Sequence, residues 1–149
     1  MTTNSRAFDS PGSTLIKLAG LLSITAAFIH SYVIPEHLSE WWGYGVFFIG
    51  TTVLQGLYGI AILLQPWRYE KDGTPLISNA SYEKPLYLLG IIGNIAIMIL
   101  YVITRTLGIP LFGPDAGEVE RVTIAGLLSK VTEALMIACL IQLYRKSNR

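Results

Sequence analysis

Four long apolar runs, separated by short clusters of charge, dominate the chain. No Asp, Glu, Lys or Arg falls in the 18 residues between Lys17 and Glu36, the 27 between Glu40 and Arg68, or the 20 between Lys84 and Arg105. The fourth run, Val122 to Tyr144, has 23 residues and is broken only by Lys130 and Glu133. A helix needs about 20 mainly apolar residues to cross the hydrocarbon of a bilayer. The pattern predicts an all-α fold: one four-helix transmembrane bundle over residues 1–149, with spans at about 13–34, 43–66, 85–106 and 121–144. Pro35 and Pro110 are expected to close the first and third spans, because proline removes an amide donor. A signal peptide competes for the first span, with Arg6 and Lys17 as its basic region and Thr25-Ala26-Ala27 as a cleavage site; an uncleaved helix is the expectation.

Composition narrows the class. Apolar residues make up 52% of the chain and charged residues 14%, against roughly 25% charged in soluble domains. The net charge of +1 gives no electrostatic footprint for nucleic acid. A single cysteine, Cys139, excludes disulfide frameworks and cysteine zinc clusters. There is no nucleophilic triad, phosphate-binding glycine loop or CxxC pair, so enzymatic chemistry is not expected.

The few charges fix an orientation. Arg6, Lys17, Arg68, Lys71, Lys84, Arg145, Lys146 and Arg149 share one side of the predicted topology, whereas the opposite loops hold only Arg105 and Arg121. Basic loops stay cytoplasmic, so a multi-pass cell-membrane protein with both termini cytoplasmic is expected. Glu36, Glu40, Asp115, Glu118 and Glu120 then lie outside. That topology also puts the acceptor-like Asn79-Ala80-Ser81 inside, where it would not be glycosylated.

Small residues at helical spacing mark packing seams, because lipid offers helices no hydrophobic reason to associate. They are Ala19, Ser23, Ala27 and Ser31 in the first span, and Thr52, Gly56 and Gly59 in the second. Gly90 and Gly93 serve the third span, and Ala134 and Ala138 the fourth. Trp41, Trp42, Tyr44 and Trp67 bracket the second span as interfacial anchors.

The polar residues within the spans carry the candidate chemistry. Ionisable groups in hydrocarbon cost about 2.5–3.5 kcal/mol on insertion scales and normally face protein or water. Lys130 and Glu133, three residues apart, share a helix face and read either as a neutralised pair or as a proton- or ion-handling group. Gln55, Asn94, Ser23 and Thr25 lie at mid-span and can join Glu133 in one polar layer. Arg105 ends a face of the third span and can snorkel, or pair with Glu36, Glu40, Glu118 or Glu120. His30 and His37 are expected near the outer face beside Glu36. On one continuous helix their rings would stand about 10 Å apart, so joint binding of an ion needs Pro35 to fold the chain back. Imidazole with carboxylates suits zinc or copper; no cofactor is otherwise implied.

Two stretches are distinctive: His37-Leu38-Ser39-Glu40-Trp41-Trp42-Gly43-Tyr44-Gly45-Val46-Phe47-Phe48, and Thr104-Arg105-Thr106-Leu107-Gly108-Ile109-Pro110, continuing through Phe112-Gly113-Pro114 to Gly117-Glu118-Val119-Glu120. From about residue 18 onward the chain resembles a group of small, uncharacterised four-span integral membrane proteins of bacteria and archaea. The resemblance implies the four-span fold and singles out the two outer loops, with His37, Glu40, Arg105, Glu118 and Glu120; it implies no activity.

Three functions follow as expectations, in this order. The first is a non-catalytic subunit or stabilising partner of a larger membrane complex, in contact with lipid, other subunits or copies of itself. The second is a proton- or ion-coupled transport or sensing module using Glu133, Lys130, Asn94 and Gln55. The third is an outer-face metal-binding protein using His30, His37 and Glu36.

Overall fold

A computed structural model describes residues 11–68, 80–110 and 113–147. Four helices make up the fold: α1 (Pro11–Glu40), α2 (Trp42–Leu64), α3 (Ala80–Thr106) and α4 (Ile124–Lys146), with a short 3-10 turn at Pro66–Arg68. Each of the four is long and apolar enough to cross a membrane. Described Asn79 neighbours enter α3, but Asn79 itself lies outside the described residues.

Contacts run between early residues of one helix and late residues of the next, so the helices alternate up and down. Gly20 faces Gly59, His30 meets Glu133, Gly90 faces Leu140, and Gln55 meets Asn94. The backbone packs along α1–α2, α1–α4 and α3–α4. The fourth seam, α2–α3, is bridged by longer side chains: Gln55 to Asn94, and the Tyr58 hydroxyl to the Leu86 carbonyl at 3.1 Å. The chain turns from α1 to α2 and from α3 to α4 at one end of the bundle, here the hairpin end. The opposite end holds the start of α1 and the end of α4.

The first helix is longer than its sequence suggests. It runs through Pro35 to Glu40 instead of stopping there. Proline deletes one hydrogen bond from the ladder, and five further residues of helix follow without needing that bond. The α1–α2 turn then takes a single residue, Trp41, whose amide bonds the His37 carbonyl at 3.0 Å. Gly43 and Gly45 make so short a turn feasible: a Cβ on Gly43 would lie 2.0 Å from the Trp41 ring, and one on Gly45 would lie 2.2 Å from Leu38. Pro85 likewise sits inside α3, near its start, and that helix begins five residues earlier than expected.

The α1–α2 seam is built as the small residues predict. Ala19, Ser23, Ala26 and Ala27 are buried, and Gly59 approaches the Gly20 backbone so closely that a Cβ would stand 2.8 Å from its oxygen. The seam on α4 is different. Ala134 and Ala138 are exposed, and the buried face is Ser129, Thr132, Glu133, Met136, Cys139, Leu140 and Leu143. Burial there follows the polar pair and the bulky residues that fill the bundle, and small size alone did not identify it. Gly93 is also exposed.

Towards the terminal end the interior is apolar: Ile16, Ala19, Ile62, Tyr87, Met136, Cys139, Leu140 and Leu143 form one cluster. Large apolar residues on the exterior, including Phe28, Leu54, Leu89 and Leu127, are distributed over all four helices, as a lipid-facing surface requires.

Candidate functional site

Glu133 is fully buried and gathers partners from three helices. Its Oε1 lies 2.9 Å from His30 Nε2 and accepts from the Ser129 hydroxyl at 3.2 Å and Gln55 Nε2 at 3.4 Å. Its Oε2 accepts from Lys130 Nζ. An ionised carboxylate only accepts, which places the imidazole hydrogen on Nε2. The Ser129 hydroxyl also contacts that nitrogen, at 3.3 Å. Gln55 extends the layer to Asn94 Oδ1 at 3.2 Å, while Asn94 Nδ2 bonds the Gly90 carbonyl. Ser23 supports Gln55 from below by donating to its backbone carbonyl at 2.7 Å. This mutual satisfaction offsets much of the cost of burying a charge pair. The amide oxygen of Gln55 is buried with no donor among the described residues.

Most of the predicted polar layer is therefore assembled: Glu133, Lys130, Gln55, Asn94 and Ser23. Thr25 is outside it and bonds its own helix at Leu21. His30 and Ser129 belong to it although the sequence reading did not put them there. His30 was expected near the outer surface because α1 was taken to stop at Pro35. With α1 reaching Glu40, His30 lies ten residues inside its end, about 15 Å along the axis.

Above this layer, the hairpin half of the bundle encloses a cavity of about 490 Å³. His30, Ser129 and Lys130 line its deep end, and Phe48, Phe47, Tyr44, Trp41 and Tyr101 supply much of its wall. The predicted interfacial anchors Trp41, Trp42 and Tyr44 thus also face a binding space. Arg105 lies over the Tyr101 ring at 4.2 Å and Lys130 over the same ring at 5.4 Å. Such contacts add roughly 0.5–2 kcal/mol each, the larger values where desolvated.

The α3–α4 connection forms the mouth. Gly108, Gly113 and Gly117 adopt positive φ, which L side chains resist. These turns allow Ile109 to pair with Glu118 and Gly117, and bring the Glu120 amide to the Thr104 carbonyl at 3.0 Å. Glu120 is then in place to pair with Arg105, the partner chosen from the four carboxylates considered. Glu118 is exposed. Thr123 caps α4 through the Gly126 amide at 3.1 Å.

The two histidines part company. His37 bonds Glu40 at 2.7 Å and stacks on Phe48 at 4.2 Å; His30 approaches Phe48 at 5.7 Å. The continuous α1 keeps them apart, and Glu36 is exposed. The zinc or copper set of His30, His37 and Glu36 is not brought together, and among the described residues no three His, Cys, Asp or Glu side chains form a group able to hold a metal.

The polar chain runs from Glu120 and Arg105 at the mouth to Glu133, Gln55 and Asn94, and there it meets the apolar cluster of Ile62, Tyr87, Met136 and Leu140. The described interior of one chain is thus a cavity open at one end and plugged at the other. Fold and site define a class: a four-helix membrane bundle with a one-sided, aromatic-walled cavity floored by a buried ion pair. No protein-family model, curated protein or solved structure matches the chain.

Proposed function

We propose that this protein is a membrane-embedded binding module. It takes a small amphipathic molecule into the hairpin-end cavity and senses it at Lys130 and Glu133. The observation that carries this reading is the cavity itself: about 490 Å³, within the roughly 300–1,000 Å³ of small-molecule sites, and apolar with a few convergent polar groups. The apolar plug beneath it favours sensing over conduction. The Lys and Arg distribution places the hairpin end, and so the cavity mouth, outside the cytoplasm.

The test is retention of a ligand. Protein purified in a mild non-ionic detergent is extracted and its small molecules are identified by mass spectrometry. One amphiphile in near-stoichiometric amount is expected from the wild type and not from Ala125→Phe, which puts a ring into the cavity. Identical extracts from both proteins, together with no thermal stabilisation by any of a panel of amphiphiles, would end the proposal.

A binding module of this size also suits an accessory subunit. Native mass spectrometry after gentle solubilisation reads that directly: a stoichiometric partner supports it, and a lone monomer under every condition ends it.

A further inference from the structure

The atoms presented by the cavity wall point to a ligand class. Resting on the binding-module reading, we infer that the ligand is an apolar carboxylic acid of the bilayer, admitted between α2 and α3, its carboxylate held by Lys130 with Arg105 as the second cation.

The wall offers donors in excess. Lys130 lines the cavity, whereas its partner Glu133 has no exposed side-chain surface and lies behind it. An ammonium has three N–H donors, and Glu133 takes one. Arg105 also lines the cavity; its Nη1 serves Thr104 and Glu120, while its Nε is buried with no partner among the described residues. The acceptors are already used. Glu120 holds Arg105, and His30 Nε2 faces Glu133 and Ser129. An anionic acceptor completes this set, and a cationic head would meet two like charges.

The route follows from the seams. The α2 and α3 backbones do not pack against each other as the other neighbours do. Their side-chain bridges, Gln55–Asn94 and Tyr58–Leu86, lie at mid-bundle and towards the terminal end. Nearer the hairpin end, Trp42 and Phe47 of α2 line the cavity while 66% and 42% exposed on the lipid-facing surface. The cavity therefore communicates with the acyl region, and the ligand comes from the membrane, not from water.

Native mass spectrometry of the full chain, titrated with decanoate, methyl decanoate, decylamine and benzoate, tests the inference. One saturable decanoate is expected, with the ester at least tenfold weaker and neither the amine nor benzoate bound. Lys130→Met alone can unfold the protein by orphaning Glu133, so the variant is Lys130→Met with Glu133→Gln, which removes both charges. It should weaken decanoate at least tenfold and leave the ester unchanged. Equal binding of acid and ester, both blocked by Ala125→Phe, would overturn the head-group inference and leave the binding module standing. Preference for the amine would overturn the polarity argument, and benzoate binding as well as decanoate would overturn the bilayer source. No binding of any probe would remove this inference while ligand retention by the wild type still decides the module.

Discussion

His30 and Glu133 stand 103 positions apart in the chain and meet at 2.9 Å inside the bundle. The carboxylate that holds the imidazole of α1 also holds Lys130 of its own helix and the Gln55 amide of α2. One side chain thus ties three helices at the depth where the aromatic cavity ends and the apolar interior begins. Any molecule that draws Lys130 upward competes with this carboxylate, which links the cavity to helix packing.

Removing the carboxylate should therefore be costly. Glu133→Leu leaves Lys130 buried without its partner, and breaking a buried pair from one side typically costs about 3–5 kcal/mol. Glu133→Leu with Lys130→Met should recover most of that loss, because no unpaired charge remains. Thermal unfolding of the four proteins of this double-mutant cycle measures the coupling. Additive effects would show that the pair contributes no mutual stabilisation.

His30 should matter through its hydrogen bond. His30→Phe keeps a ring beside Phe48 but leaves Glu133 one donor short, and a buried acceptor losing a partner costs about 1–3 kcal/mol. His30→Gln, which can present an N–H to the same carboxylate, should retain much of the stability. Equal losses from both variants would mean that ring packing, and not the bond to Glu133, is what α1 contributes here.

The four spans were legible in the sequence because charge is so scarce: runs of 18 to 27 residues without it have few alternatives to membrane helices. The pair of Lys130 and Glu133 was legible for the same reason, since helical spacing alone puts them on one face. The link from Glu133 to His30 was not. It depends on how far α1 continues past Pro35, and a single proline does not decide between a helix end and a missing hydrogen bond. The exposed Ala134 and Ala138 teach a related lesson. Small size permits close approach but does not choose the face, and on α4 the buried polar groups choose it. The pairing of Arg105 with Glu120 was one option among four, and only the glycine turns of the connecting loop select it.

Close packing between α1 and α2 gives a contrast within one helix. A Cβ at Gly59 would stand 2.8 Å from the backbone oxygen of Gly20, whereas one at Gly56 would have its nearest neighbour, the Ala27 methyl, at 3.9 Å. Gly59→Ala should lower stability by about 1–3 kcal/mol, as overpacking does. Gly56→Ala should be neutral or stabilising, since alanine favours helix over glycine by about 1 kcal/mol. Thermal unfolding in detergent reads both, and an equal response at the two positions would contradict the described seam.

The orientation follows from the charge pattern and has a direct chemical readout. Val119 is exposed in the α3–α4 connection and Lys146 is exposed at the end of α4, so the two positions report opposite ends of the bundle. Native Cys139 is buried at 7% exposure and contributes little background, and Cys139→Ala removes what remains. On that background, Val119→Cys should react with a membrane-impermeant maleimide in intact cells, and Lys146→Cys only after permeabilisation, because basic termini are retained in the cytoplasm. The reverse labelling would turn the cavity mouth towards the cytoplasm. The helices and the site would be unchanged, but the ligand would then have to come from the inner leaflet.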